Sequence, residues 1–271
     1  MKHRLFNGDC LKVLPTLEDF DCIFADPPDN IGLGYDAYDD KLADAEYVKF
    51  LEEVLTWSVL RAKVVWWSFN AKWTFQVGRI FENLIYQYAD SPRKLLGKPC
   101  VQVFTFGQNN KHDLGNNHRP LWRLMWDDAP LYPDAIKVPS WRERNGDKRA
   151  KPGGRVPGDV FGNDSANDGA TISLDAGPYP GDVFDFPRVT GNSKQRRAYH
   201  PTQLHEELVE RCIRLTTKEG DTVLDPFGGT GTTLRVCDRI NRDCTLIELD
   251  PMYCQHIRND HPKLAFKKIA A

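Results

Sequence analysis

No apolar run in this chain approaches the ~20 residues that a membrane-spanning helix needs. The opening Met1-Lys2-His3-Arg4-Leu5-Phe6-Asn7-Gly8-Asp9 lacks the apolar core of a secretion signal. Seven cysteines, an odd number, stand at 10, 22, 100, 212, 237, 244 and 254, and no two form a Cys-x-x-Cys pair. A zinc site and a disulfide framework are therefore not expected, and a reducing cytoplasm is the expected setting. Strong charge of one sign is missing too: 36 Lys+Arg face 38 Asp+Glu, for a formal net charge of −2. That excludes a chain that coats nucleic acid through overall basicity.

The 271 residues, 41% hydrophobic and 27% charged, suffice for one large domain or a domain carrying an insertion. Residues 1–106 alternate strand-like and helix-like segments. The apolar run 21–25 reads as a buried strand ending at Asp26, residues 45–62 carry apolar side chains at helical spacing, and 63–69 is β-branched and aromatic. Residues 71–85 read as helix and 101–106 as strand. Residues 200–271 return to this rhythm, with a helix over 203–217, a strand over 222–225, a helix to about 240 and a strand over 244–249. Such a succession predicts a doubly wound α/β fold with a mostly parallel, crossover-connected sheet. The stretch 107–199 breaks the pattern, being crowded with glycine, proline, asparagine and aspartate, and is expected to be an irregular insertion. It holds a near-repeat, Pro157-Gly158-Asp159-Val160-Phe161 and Pro180-Gly181-Asp182-Val183-Phe184, too few copies for a repeat architecture.

Charge within the insertion is sorted. Lys137 to Arg155 holds seven basic residues against two acidic, Val156 to Phe186 holds six aspartates and no basic residue, and Arg188, Lys194, Arg196 and Arg197 follow. A solvated polar loop explains this, and so do two basic edges suited to phosphate contacts.

Two short motifs carry the chemistry. Asp26-Pro27-Pro28-Asp29-Asn30 follows a strand. Two prolines fix two φ angles and remove two N–H donors, so the turn presents acceptors only, which suits a ligand bearing an amino group. Leu224-Asp225-Pro226-Phe227-Gly228-Gly229-Thr230-Gly231 joins a strand to a helix through a glycine turn, and Glu248 ends the next strand about 20 residues on. Doubly wound folds place a ribose-binding acid there. A dinucleotide site fits that spacing, although the turn is not Gly-x-Gly-x-x-Gly.

Together these residues resemble the S-adenosylmethionine-dependent DNA amino-methyltransferases, which act on adenine N6 or cytosine N4. The match comprises Asp26-Pro27-Pro28 with Asn30-Ile31-Gly32, the stretch Leu224 to Thr233, His200-Pro201-Thr202-Gln203, and Asn7-Gly8-Asp9-Cys10. A catalytic motif preceding the cofactor motif, with a recognition region between, resembles the β class. The resemblance implies a Rossmann-like methyltransferase fold divided as 1–106 catalytic half, 107–199 target-recognition region and 200–271 cofactor half. It implies that Phe227, Gly228, Gly229 and Gly231 cradle the methionine part of the cofactor, with Asp225, Thr230 and Thr232 from the same motif. Glu248 would hold the ribose, Asp9 and Cys10 would lie beside the adenine, and Thr202 and Gln203 would close over the amino-acid end. Asp26, Pro27 and Pro28 form the implied catalytic set, with Asp26 also bordering the cofactor. Double-stranded DNA is the implied partner, with base flipping to reach the pocket, and a homodimer is plausible for the class.

Two positions depart from the family pattern. The fourth position of the catalytic motif is usually aromatic and stacks on the target base, but here it is Asp29; Tyr35 and Trp67 are the expected substitutes. Lys-Pro of the downstream motif is replaced by Leu204-His205. An aspartate opening the Pro-Pro motif favours adenine, with cytosine N4 as the alternative. A catalytically weak DNA-binding protein is a second alternative, and a dinucleotide oxidoreductase leaves Asp-Pro-Pro and His-Pro-Thr-Gln unexplained. Arg119, Arg142, Arg144, Lys148 and Arg149 are the expected DNA contacts. No nuclease motif accompanies them, so a modification enzyme of a restriction pair and a solitary methyltransferase are both open.

Overall fold

In the computed structural model, residues 1–35, 37–103, 118–137, 146, 148, 160–161, 189 and 193–269 are described. Ten strands among them form one sheet: β1 (His3–Asn7), β2 (Phe20–Ala25), β3 (Ala62–Ser68), β4 (Leu95–Lys98), β5 (Val101–Val103), β6 (His118–Trp126), β7 (Val160–Phe161), β8 (Thr222–Asp225), β9 (Asp243–Glu248) and β10 (Ala265–Lys268). Their order is β10-β1-β9-β8-β2-β3-β6-β5-β7, and β4 pairs with β6. From β10 to β3 every pairing is parallel, whereas β6 runs antiparallel to β3, β4 and β5.

Side chains of a strand alternate between faces, and β2 and β3 show why both faces must be covered. Ile23, Ala25, Val65 and Trp67 enter one core, and Cys22, Phe24, Val64 and Trp66 enter the other. The first core is closed by α1 (Cys10–Val13), α2 (Asp44–Arg61) and α3 (Thr74–Gln87), which contribute Leu51, Val54, Leu55, Val77, Ile80 and Phe81. The second is closed by α4 (Glu206–Thr216), α5 (Thr232–Arg239) and α6 (Pro251–Asp260), through Leu208, Val209, Cys212, Leu234, Val236 and Ile257. This is the expected doubly wound, mostly parallel α/β sheet.

The expected elements recur within a few residues. One departure is larger. Residues 118–126, assigned by composition to the irregular insertion, form the nine-residue strand β6 of the main sheet. Its paired burial, with Pro120 and Leu121 and then Leu124 to Trp126 inside, lacks the two-residue period that marks a half-buried strand.

From β2 the chain proceeds to β3 on one side; from β8 it proceeds to β9 on the other. The sheet therefore has its topological switch point between β2 and β8, and the crevice beyond their carboxyl ends is where such folds bind ligands. Asp26 follows β2, and Asp225 ends β8.

Candidate active site

A cavity of about 330 Å³ opens at that switch point, within the usual range for small-ligand sites. Both motifs reach it: Asp26, Pro27, Pro28 and Asp29 from one side, Asp225, Phe227, Thr230 and Thr232 from the other. Asp9, Cys10, Tyr35, Arg119, Thr202, Gln203 and Glu248 complete the wall among the residues singled out by sequence.

The glycine turn is built from beneath. Asp225 Oδ1 accepts the Phe227 N–H at 2.8 Å and its Oδ2 accepts the Thr233 hydroxyl at 2.6 Å. Gly229 and Gly231 take φ of +48° and +76°, a region that side chains with a Cβ rarely adopt. Gly228 lies so near β9 that a Cβ would come within 3.3 Å of the Ile247 carbonyl. A Cβ at these glycines would meet β9, His200 and Ile257, so none has room for a side chain, while Phe227, Thr230, Thr232 and Thr233 line the cavity. Glu248 is clamped as an acceptor: Oε2 takes the Gly229 N–H at 2.6 Å and Oε1 the Asp250 N–H at 2.7 Å. Burial nonetheless pushes its carboxyl up to about 7, and burial does the same to Asp225.

On the other side the two-proline turn is held from behind. Tyr47 donates its hydroxyl to the Pro28 carbonyl, and Trp73 Nε1 donates to the Asp29 carbonyl at 2.7 Å. The Asp40 carboxylate caps the N–H groups of Asn30, Ile31 and Leu33. Asp29, which sequence left unexplained, is buried and pairs with Arg119: Nη1 donates to its Oδ2 at 3.0 Å and Nη2 to its Oδ1 at 2.9 Å. Arg119 Nη2 also reaches Asp26 Oδ1 at 2.6 Å, and its Nε donates to Ser68 Oγ at 2.7 Å. Burial raises the Asp26 carboxyl above the usual carboxylate range, and Arg119 opposes that shift.

Two expectations are corrected by this geometry. Trp67 is fully buried in the first core, with its ring edge-on to Phe227 at 6.4 Å, so no face of it is open to a base. Arg119, expected among the phosphate or base contacts, has its guanidinium committed within the cavity wall to two carboxylates. Tyr35 does line the cavity, with its hydroxyl 3.3 Å from Thr202 Oγ1 and its ring edge-on to His200 at 5.7 Å. Gln203 lines it as well, but both ends of its amide tie down the preceding loop, donating to the Gln195 carbonyl and accepting from the Arg197 N–H. Lys148 is exposed, and Arg142, Arg144 and Arg149 lie outside the described residues.

The structure also adds residues that sequence gave no role. His200 faces the cavity; its Nδ1 accepts the Thr202 N–H at 3.3 Å, and burial lowers its pKa to about 4, so the ring is neutral at pH 7. Its place in His-Pro-Thr-Gln was a signal without a function. Asp250, two residues past Glu248, also lines the cavity.

The cavity fits the cofactor implied by the resemblance. Buried Asp250 Oδ2 has no hydrogen-bond partner among the described residues and can accept a hydrogen from a ligand. The acidic side chains of Asp9, Asp26, Asp29, Asp225, Glu248 and Asp250 suit a ligand carrying a sulfonium charge and ribose hydroxyls. Cys10, Phe227 and Leu249 supply the apolar part of the wall.

Comparison with known proteins agrees with this geometry. A family model described as DNA methylase matches residues 20–259. The chain is 29% identical over 264 residues to the type II methyltransferase M.HpaI of Haemophilus parainfluenzae, covering 94% of this chain and 73% of that protein. It is also 29% identical over 260 residues to the DNA adenine methyltransferase YhdJ of Escherichia coli K12, covering 92% of this chain and 79% of that protein. In fold it resembles the crystal structure of the M1.HpyAVI–SAM complex, with a TM-score of 0.53 at 16% identity over 95% of this chain and 98% of that one. The chain therefore belongs to the DNA methylase family of S-adenosylmethionine-dependent enzymes that methylate adenine N6 or cytosine N4.

Proposed function

We propose that this enzyme methylates the N6 amine of an adenine flipped out of double-stranded DNA. The observation that carries the reading is the Asp26-Pro27-Pro28 turn at the end of β2, opening into the same cavity as the glycine loop and Glu248. With the Pro28 and Asp29 carbonyls engaged from behind, the Asp26 carboxylate and the Pro27 carbonyl are the turn's acceptors toward the cavity. Bound S-adenosylmethionine supplies an electrophilic methyl on a sulfonium. The lone pair of an exocyclic amine is delocalised into the base ring, which makes it a poor nucleophile. Asp26 and the Pro27 carbonyl hold its two N–H groups out of the ring plane, localise that lone pair and aim it at the methyl; in-line transfer then rests on positioning and charge stabilisation. As a carboxylate, Asp26 can also take the proton that the amine loses.

Adenine is favoured by the aspartate that opens the Pro-Pro motif, and YhdJ, by name an adenine enzyme, is among the relatives. The target must leave the duplex, since the amine cannot otherwise enter a cavity beyond the carboxyl ends of β2 and β8. The basic stretches 137–155 and 188–197 are the proposed phosphate contacts, and 107–199 as a whole is the proposed recognition region.

Purified protein, labelled S-adenosylmethionine and mixed-sequence DNA will yield N6-methyladenine on hydrolysis; N4-methylcytosine would overturn the base assignment. Asp26→Ala will lower the transfer rate by at least ~10³-fold while cofactor affinity is largely kept, and transfer at the normal rate would refute the role of Asp26. Reversing charge at Arg142 and Arg144 will weaken DNA binding and flatten its salt dependence; an unaltered salt slope would remove these residues from the interface.

A further inference from the structure

The Asp26–Arg119–Asp29 cluster departs from an aromatic fourth position and requires an explanation of its own. We propose that Arg119, fixed by Asp29, is the positioning residue of the Asp26 carboxylate: it occupies Oδ1 and so turns the other oxygen toward the target amine. This rests on the reading of Asp26 as the amine's acceptor.

A guanidinium has five N–H donors in a rigid plane, and Arg119 commits four of them. Nε and Nη2 form one edge, which meets Ser68 Oγ and Asp26 Oδ1. Nη1 and Nη2 form the next edge, which meets both oxygens of Asp29. The paired contact to Asp29 fixes the plane, and the fixed plane fixes where Nη2 meets Asp26. Lysine offers a point charge with rotatable donors and could not transmit this orientation. An aromatic residue at position 29 would remove the acceptors of one guanidinium edge and leave it buried and unpaired, at high cost. Asp29 and Arg119 are thus a matched pair, 90 residues apart in sequence.

Charge gives the arrangement a second consequence. Facing Asp26 are Arg119 from β6, Asp29 from its own turn, Asp225 from the end of β8, the Ser68 hydroxyl from β3 and the Tyr35 phenol from the following loop. Burial and the Asp29 charge oppose ionisation of Asp26, whereas Arg119 and Ser68 favour it. Without the guanidinium, two carboxylates would share a buried site with no cation.

The test is the pH profile of single-turnover methyl transfer by the full-length enzyme on DNA. Arg119→Met will move the acid limb up by about 1–3 pH units, the displacement an adjacent arginine produces on a carboxylate. Arg119→Lys will restore part of that displacement but not the plateau rate. Asp29→Asn retains one acceptor for the guanidinium and removes the like charge, so its acid limb will move down. S-adenosylmethionine is held at saturation at every pH, so that a change in its affinity does not move the limb. Acid limbs unmoved in both Arg119→Met and Asp29→Asn would overturn the proposal, since a merely structural pair lowers the rate at every pH alike. If Arg119→Met fails to fold, the direction for Asp29→Asn decides. Should Asp26→Ala still methylate, the acceptor reading itself falls; should it be inactive while the limbs stay put, only the positioning role falls.

Discussion

At the scale of single residues, the pocket combines a polar floor with partly exposed rings, Tyr35 and Tyr38 among them. Asp29 and Arg119 replace an aromatic surface by a neutralised ion pair, and Trp67 lies beneath it in the core. Tyr35 remains, half-buried, with its ring against His200 and its hydroxyl against Thr202. A base entering the cavity would find that ring as a stacking partner. Base–aromatic stacking contributes about 1–3 kcal/mol, so Tyr35→Ala should weaken productive DNA binding by roughly 10- to 100-fold. Tyr35→Phe, which keeps the ring, should change it little. Equal losses in both variants would show that the hydroxyl contact to Thr202 matters instead. The identity of Asp29 was plain in the sequence, but its partner was not, because pairing across 90 residues follows from the register of β6 on β3.

At the scale of elements, the glycine loop shows how a turn and a helix start are made together. Gly231 is the N-cap of α5 in a left-handed conformation, φ +76°, and a Cβ there would lie 3.3 Å from Ile257 of α6. Gly231→Ala should therefore destabilise the protein by about 1–3 kcal/mol, read from urea unfolding, and loosen the Thr230–Thr232 wall enough to weaken cofactor binding. An unchanged midpoint would mean that the loop relaxes freely. Across the same face, Glu206 of α4 holds Arg235 and Arg239 of α5, and Glu210 holds Arg239 and Arg214. These pairs fix the orientation of two helices that already share buried Leu208, Cys212 and Leu234, and their half-exposed members contribute little free energy by themselves. The helix over α4 and the strand–turn–helix around Gly228–Gly231 were legible from local period and glycine spacing. Strand β6 was not, since arginine and proline interrupt its apolar residues and its partners β3, β4 and β5 are supplied by distant sequence.

At the scale of the whole molecule, bringing acids to the switch point makes stability depend on pH. Asp225 and Glu248 both rise to about 7 on folding, from ordinary values of 3.8 and 4.5. The folded state thus binds more protons than the unfolded one across that interval, and stability falls as pH rises. Their contribution is fully present below about 4 and is lost as pH passes about 7. Glu18, Asp21, Glu206 and Glu210 act oppositely, since their partners lower their pKa and their contribution fades only in more acidic solution. Buried His200, His205 and His261, whose pKa falls on folding, oppose this below about 6.5, so the melting temperature of the cofactor-free protein should decline chiefly between about pH 6.5 and about pH 8. Asp225→Asn, which keeps an acceptor for the Phe227 N–H, should flatten that decline, and added S-adenosylmethionine should offset it by placing a cation among the carboxylates. An equally steep decline in Asp225→Asn would assign it to other groups.

The sequence alone determined which chemistry is available: an acceptor-only turn at Asp26-Pro27-Pro28, a glycine turn after a strand, and an acid at the end of the next strand. These are local properties, set by the φ restriction of proline, the absence of a Cβ in glycine and the alternation of buried and exposed positions. Only the tertiary structure decided that the two motifs share one cavity, because the strand order that sets β2 beside β8 arises from parallel crossovers between distant segments. It also decided where Arg119 lies: a guanidinium in a chain is free to pair with any anion, and the buried charges of Asp26 and Asp29 hold it in the cavity wall.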